Sequence, residues 1–200
     1  MAAFAILTVC SGNICRSPLA EQLLRVGLAE WPKVEIRSAG TFAIAGDAMP
    51  REAAALSVRY GGDPSGHRAS PLVQAQIRTA DLVLGMARSH RREVVQLVPS
   101  SSRSVFTLRE FARLAAGAPD EDFDEIAALP ADDVIGRWRA AVEVAASRRG
   151  LERPARPEDD DVIDPYRGDQ SLYDLSAEQL VPAARASALF LRRAATVRRD

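Results

Sequence analysis

Cysteine and histidine are scarce in this chain. Among 200 residues there are two cysteines, Cys10 and Cys15, and two histidines, His67 and His90. Two cysteines five positions apart build no disulfide framework of the kind that staples small secreted proteins. With so few imidazoles there is also no finger-like ligand spacing for zinc. Long hydrophobic runs are missing as well. No stretch approaches the roughly 18 apolar residues that a membrane-spanning helix needs. The first residues, Met1 to Val9, have neither a basic start nor a cleavage site, so they do not read as a signal peptide. Charge of one sign is lacking too: Lys+Arg 26 stand against Asp+Glu 27, for a formal charge of -1. That balance is not the basic surface of a nucleic-acid binder. The expectation is a protein of the reducing cytoplasm, with neither nucleic acid nor membrane as partner.

What is present suits one folded domain spanning 1–200, with or without a sizeable insertion. Hydrophobic content is 47%, enough for a core. An apolar run, Phe4 to Val9, reads as a buried strand. A helical pattern follows from Pro18 to about Trp31, with Leu19, Leu23, Leu24 and Leu28 on one face, Ser17 as cap and Pro18 in the first helical position. Val34 to Ser38, Ala80 to Met86 and Ser104 to Leu108 read as further strands. Pro50 to Tyr60 and Ser89 to Leu97 read as helices. This alternation predicts βαβ units and a parallel sheet covered on both faces. From Phe111 to about Asp161 the pattern becomes acidic and rich in Pro and Ala. Within it, Ala131 to Arg149 predicts an amphipathic helix carrying Val134, Ile135, Trp138, Val142 and Ala145 on one side. Glu152 to Asp161 reads as an exposed linker, and a last helix is expected from a Ser176 cap to about Arg193.

The chemistry concentrates at the end of the first strand, in Cys10-Ser11-Gly12-Asn13-Ile14-Cys15-Arg16-Ser17. A loop between a buried strand and a helix points successive backbone N–H groups at one spot, making an anion nest. The helix N-terminus adds partial positive charge. Arg16 can fork two phosphate oxygens. Cys10 sits where this positive potential converges, which favours its thiolate, the nucleophilic form. Gly12 permits a turn that a β-carbon would hinder, Asn13 can hydrogen-bond across the loop, and Ser17 can donate to the Cys10 sulfur. Ser11, Gly12, Asn13, Ile14, Cys15 and Ser17 are therefore the expected phosphate-binding residues. A leaving oxygen also needs a proton. Asp164, between Val162-Ile163 and the rigid Pro165, is the best donor, with Tyr166 as a pocket wall.

These residues resemble the low-molecular-weight protein-tyrosine phosphatase family, in its bacterial form. The likeness runs from Val9 to Pro18, through Ser38-Ala39-Gly40-Thr41, Gly66-His67-Arg68-Ala69, Ala80 to Met86 with His90, and Leu108-Arg109-Glu110-Phe111, to Asp164-Pro165-Tyr166. It leaves out about 112–161, which stands as an insertion because the family is usually shorter there. The resemblance implies an α/β, three-layer fold, flavodoxin-like or phosphotyrosine phosphatase I-like: a four-stranded parallel twisted sheet flanked by helices. It implies hydrolysis of phosphotyrosine or another aryl phosphate monoester through a phosphocysteine, with no metal and no cofactor. It carries Cys10 over as nucleophile, Arg16 as phosphate binder and Asp164 as general acid, then base. The segment Phe42-Ala43-Ile44-Ala45-Gly46 lacks the usual rim Trp or Tyr, leaving Phe42 as the candidate aromatic there. In this it looks more like bacterial members linked to exopolysaccharide tyrosine kinases, so a tyrosine kinase is an expected partner, beside a phosphotyrosine protein or a small aryl phosphate as substrate. A monomer or weak dimer is expected.

Two other functions compete. Arsenate reduction starts from a similar loop but usually needs further resolving cysteines, and none lies near residues 80–90. A phosphate-binding regulatory module would be expected to lose Cys10, Arg16 or Asp164, and all three are present. Cys15 has two readings: a reversible partner that protects Cys10 from oxidation, or packing behind the loop. His67 and His90 are expected to be structural.

Overall fold

The computed structural model describes residues 3–198, so residues 1, 2, 199 and 200 of the expected domain lie outside the described part. Four strands, β1 (Phe4–Cys10), β2 (Val34–Gly40), β3 (Leu82–Gly85) and β4 (Val105–Thr107), form one parallel sheet in the order β2-β1-β3-β4. The helices are α1 (Arg16–Gly27), α2 (Arg51–Arg59), α3 (Gln74–Thr79), α4 (Arg88–Leu97), α5 (Leu108–Ala116), α6 (Asp124–Ala127), α7 (Val134–Ser147) and α8 (Gln170–Thr196). Strand side chains alternate between two buried layers, as the period-2 geometry of a strand requires. Phe4, Ile6, Leu82, Leu84 and Phe106 face a large core built with α1, α2, α5, α7 and α8. Leu7, Val9, Val83 and Val105 face a smaller one that includes Ile77 of α3 and Val94 of α4. Burial on both sides explains why the strands read as nearly unbroken apolar runs. The expected α/β, three-layer architecture with four parallel strands is the observed one.

Several boundaries differ from expectation. Helix α1 starts at Arg16, two residues earlier than a Ser17 cap would place it, and ends at Gly27. Ser17 is thus freed from capping and turns its hydroxyl inward. The last helix starts at Gln170, capped by Asp169, whose side chain accepts from Leu172 N at 3.1 Å. Ser176 lies buried inside that helix. Its small side chain permits close packing, which a polarity rule alone misreads as an end. Helix α5 was not expected at all, yet Thr107 and Glu110 form a reciprocal capping box, with Oγ1 accepting from Glu110 N at 3.0 Å and Oε2 from Thr107 N at 3.1 Å.

The stretch read as an exposed linker, Glu152 to Asp161, is tied down instead. Arg113 forks the buried Asp160 carboxylate at 2.8 Å, and Arg88 pairs with Asp161 at 2.9 Å. The acidic run that resembled a solvated linker is neutralised by arginines distant in sequence. Helix α7 is amphipathic as expected and contributes directly to the core. Trp138 is fully buried, edge-on to Phe4 at 5.2 Å and to Trp31 at 6.0 Å, and its Nε1 donates to Leu191 O at 2.8 Å.

Trp138→Ala should therefore cost about 3–5 kcal/mol, read as a lowered denaturant midpoint. A helix merely laid on the surface would lose less than about 1 kcal/mol in the same measurement.

Candidate active site

Strand β1 ends and α1 begins within a few residues, and the intervening loop curls round the Cys10 sulfur. Asn13 N donates to Sγ at 3.2 Å, and Ser17 Oγ lies 3.0 Å from it. Asn13 adopts φ 53°, a left-handed conformation that Asn tolerates better than most residues. Its buried side chain holds that shape: Nδ2 donates to Ser17 Oγ at 3.0 Å and Oδ1 accepts from Ser70 N at 2.8 Å. His67 Nε2 donates to Asn13 O at 2.7 Å. Asn13 donates to the Ser17 oxygen, which leaves the Ser17 hydroxyl proton two acceptors, Sγ at 3.0 Å and Ala39 O at 3.4 Å. Gly40 of β2 lets the loop approach closely: a β-carbon there would sit 2.5 Å from Ser11 O and 2.8 Å from Asn13 N.

Arg16 and Asp164, 148 residues apart, meet over this loop at 2.5 Å. Arg16 Nη1 also donates to Val162 O at 3.1 Å, while its buried Nε has no protein partner among the described residues. The acid loop is held from below. Val162 N donates to Met86 O at 2.8 Å, Arg109 Nη1 to Asp161 O at 2.7 Å, and Ile163 N to Gln179 Oε1 at 2.8 Å. Asp164 itself stays half exposed, and Oδ1 accepts from Tyr166 N at 3.2 Å.

The pocket above Cys10 has a volume of about 230 Å³. Its floor is Cys10, Ser11, Gly12, Ile14, Cys15 and Arg16, and its walls are Phe42, Ile44, Asp47, Asp164 and Tyr166. A larger cleft of about 420 Å³ runs along β2 between Arg25 and Arg37. It offers no nucleophile, so size does not select the site. Phe42, 77% exposed, is a rim residue and not a core one.

Cys10, Ser11, Gly12, Ile14, Cys15, Arg16, Phe42, Asp164 and Tyr166 are thus brought together around one pocket, while Asn13 and Ser17 support it from beneath. Ile44 and Asp47 of the wall were missed, since nothing in their local sequence marks them. Both cysteines are free thiols. Cys15 is buried with Tyr173 OH at 3.8 Å, and that burial pushes its thiol up to about 12. His90 is buried with Nε2 3.0 Å from Ser11 Oγ. Burial and then the Arg16 charge lower it to about 4, against the weaker pull of Asp164 and Asp161.

This geometry agrees with comparison to known proteins. The profile of the family described as low molecular weight phosphotyrosine protein phosphatase matches residues 5–125. The chain belongs to that family. A relative from Ralstonia solanacearum, named as a probable low molecular weight protein-tyrosine-phosphatase EpsP, is 40% identical over 114 residues, covering 57% of this chain and 77% of its own. A protein-arginine-phosphatase of Geobacillus stearothermophilus is 37% identical over 108 residues, 54% of this chain and 71% of its own. Among solved structures, a low molecular weight protein tyrosine phosphatase from T. tengcongensis superposes with a TM-score of 0.63 at 31% identity, covering 92% of this chain and 97% of that one.

His90 gives the site a pH signature. Its folded value lies below the unfolded value of about 6.5, so its contribution to stability is full above about pH 6.5 and is lost as pH falls toward 4. Between pH 7.5 and 4.5 the loss should be about 2–3 kcal/mol. Denaturant unfolding at both pH values should show this difference shrinking by that amount in His90→Gln.

Proposed function

We propose that this phosphatase hydrolyses phosphotyrosine, or another aryl phosphate monoester, through a covalent phosphocysteine on Cys10. The observation that carries the reading is the Cys10 sulfur held at the N-terminus of α1 by Asn13 N and Ser17 Oγ, beneath the Arg16–Asp164 pair. In the first step the Cys10 thiolate attacks phosphorus, forming the S–P bond as the P–O bond to the aryl group breaks. Asp164, in its protonated form, gives its proton to the departing oxygen. The backbone N–H groups of the loop and the Arg16 guanidinium, including the Nε–H that has no partner among the described residues, bind the equatorial oxygens as charge builds. In the second step water attacks phosphorus and Asp164 takes a water proton. The S–P bond then breaks, inorganic phosphate leaves and the thiolate returns, with Ser17 donating to the departing sulfur. None of these steps calls on a metal or cofactor.

The substrate class follows from the walls. Phe42, Ile44 and Tyr166 of the walls, with Ile14 of the floor, make an apolar slot suited to an aromatic ring, and Asp47 and Asp164 complete the walls. The competing substrate is an N-phosphorylated arginine, because two relatives are named for that activity. Phe42, Ile44 and Tyr166 favour the aryl ester, while Asp47 is the wall group that would suit a guanidinium. The natural substrate on this reading is a phosphotyrosine protein, with a tyrosine kinase as the opposing enzyme. The working compartment is the cytoplasm, where Cys10 stays reduced. No described helix is long and apolar enough to cross a membrane. Residues 1–200 act as a single domain on this reading, with 112–161 as an insertion that completes the core through Trp138 and, at its edge, carries the tethers of the acid loop.

An aryl phosphate should turn over with EDTA present. Cys10→Ser should abolish turnover. Asp164→Ala should lower kcat by about 10²–10⁴-fold for a poor leaving group such as phenol, and far less for p-nitrophenol. Steady-state kinetics on the ester, on phosphotyrosyl and phosphoarginyl peptides and on arsenate decide the substrate. Turnover by Cys10→Ser, or activity confined to arsenate, would contradict the reading.

A further inference from the structure

The phosphatase chemistry above uses neither histidine, yet His90 touches Ser11 of the pocket floor. It is the third residue of α4, is 3% exposed, and places Nε2 3.0 Å from the Ser11 hydroxyl. Ser11 in turn lines the pocket floor beside Cys10. The other ring nitrogen, Nδ1, is buried and has no partner among the described residues. A neutral imidazole carries one N–H. Burying that N–H at Nδ1 would leave an unsatisfied donor, which folded proteins tolerate less readily than an unsatisfied acceptor. The proton therefore belongs on Nε2, where it donates to Ser11 Oγ. The Ser11 hydroxyl hydrogen then has no acceptor on His90, and the open direction is the pocket.

We propose that Ser11 Oγ–H is a hydrogen-bond donor to an oxygen of the bound substrate, and that His90 is a positioning residue that fixes its direction by donating from Nε2. The inference rests on the phosphatase reading and deepens it. It assigns Ser11 a side-chain role in a loop that otherwise binds through its backbone and the Arg16 guanidinium. The accepting oxygen belongs either to the phosphoryl group or to a carbonyl beside the phosphorylated residue. Both sources share the same chemistry, an anionic or amide oxygen at the pocket wall.

The test is a KM-against-kcat comparison of Ser11→Ala, His90→Gln, His90→Asn and the double variant Ser11→Ala/His90→Asn, on phenyl phosphate and on a phosphotyrosyl peptide. Gln extends an amide N–H to the Nε2 position; Asn stops near Nδ1 and leaves Ser11 unsupported. Ser11→Ala should raise KM about three- to tenfold, the weight of one hydrogen bond, with kcat within about twofold. His90→Asn should match it, the double variant should be no worse than either single one, and His90→Gln should stay within about twofold of the parent. A shift on phenyl phosphate assigns the acceptor to the phosphoryl group; a shift on the peptide alone assigns it to a carbonyl. An unchanged KM in Ser11→Ala on both substrates overturns the inference. So do multiplying effects in the double variant, or equal losses in Asn and Gln, which a purely structural histidine would give. Should both His90 variants fail to fold, Ser11→Ala alone decides. Absence of turnover in the parent protein would instead count against the phosphatase reading itself.

Discussion

Asn13 carries the constraint on which the rest of the site depends. One buried residue in a left-handed conformation binds the Cys10 sulfur through its N–H, the Ser17 hydroxyl and the Ser70 N–H through its side chain, and the His67 ring through its carbonyl. These bonds join β1, the first turn of α1 and the loop after α2. Each is worth only about 1 kcal/mol net. Together they choose one backbone path round the Cys10 sulfur. On the proposed reading the phosphate cradle is thus built before any substrate arrives, which is what electrostatic catalysis requires.

The second half of the site comes from far along the chain. Asp164 can meet Arg16 only because the segment before it is anchored at successive residues: Asp160 by Arg113, Asp161 by Arg88 and Arg109, Val162 by Met86, and Ile163 by Gln179. Three of these anchors are arginines on α4 and α5, and the fourth side chain lies on α8. The fold thus converts a polar, acidic stretch into a fixed support while leaving Asp164 itself half exposed, free to exchange protons with water. Helix α7 belongs to the same economy. Its Trp138 fills the core under β1, and the chain that leaves it returns to the pocket through Asp160.

How legible this was in the sequence varied with the range of the forces involved. The strand–loop–helix around Cys10 could be read directly, because an apolar run, a Gly-Asn turn and an amphipathic helix are local signals. Asp164 was readable only together with the Cys10 loop, which calls for an acid; its local Asp-Pro sequence alone reads as a surface turn. The linker before it was misread, since the arginines that neutralise Asp160 and Asp161 lie about 50 to 70 residues away in sequence. Helix α5 announced itself through Thr107 and Glu110, a capping pair hidden by the short strand ahead of it. The start of α8 was placed too late because Asp169 and Ser176 are about equal as caps by residue type, and only tertiary packing decides between them. Ile44, Asp47 and the Ser11–His90 contact are products of tertiary folding and leave no local trace.

The central claim is that Cys10 takes the phosphoryl group covalently. The most direct measurement is rapid acid quench of the protein during turnover of p-nitrophenyl phosphate, followed by intact mass and peptide mapping. The account predicts one added phosphoryl group, located on Cys10, appearing in the first turnover and decaying as inorganic phosphate is released. A phosphoryl group on any other residue, or steady turnover with no covalent species at any quench time and no burst of nitrophenol, would contradict it.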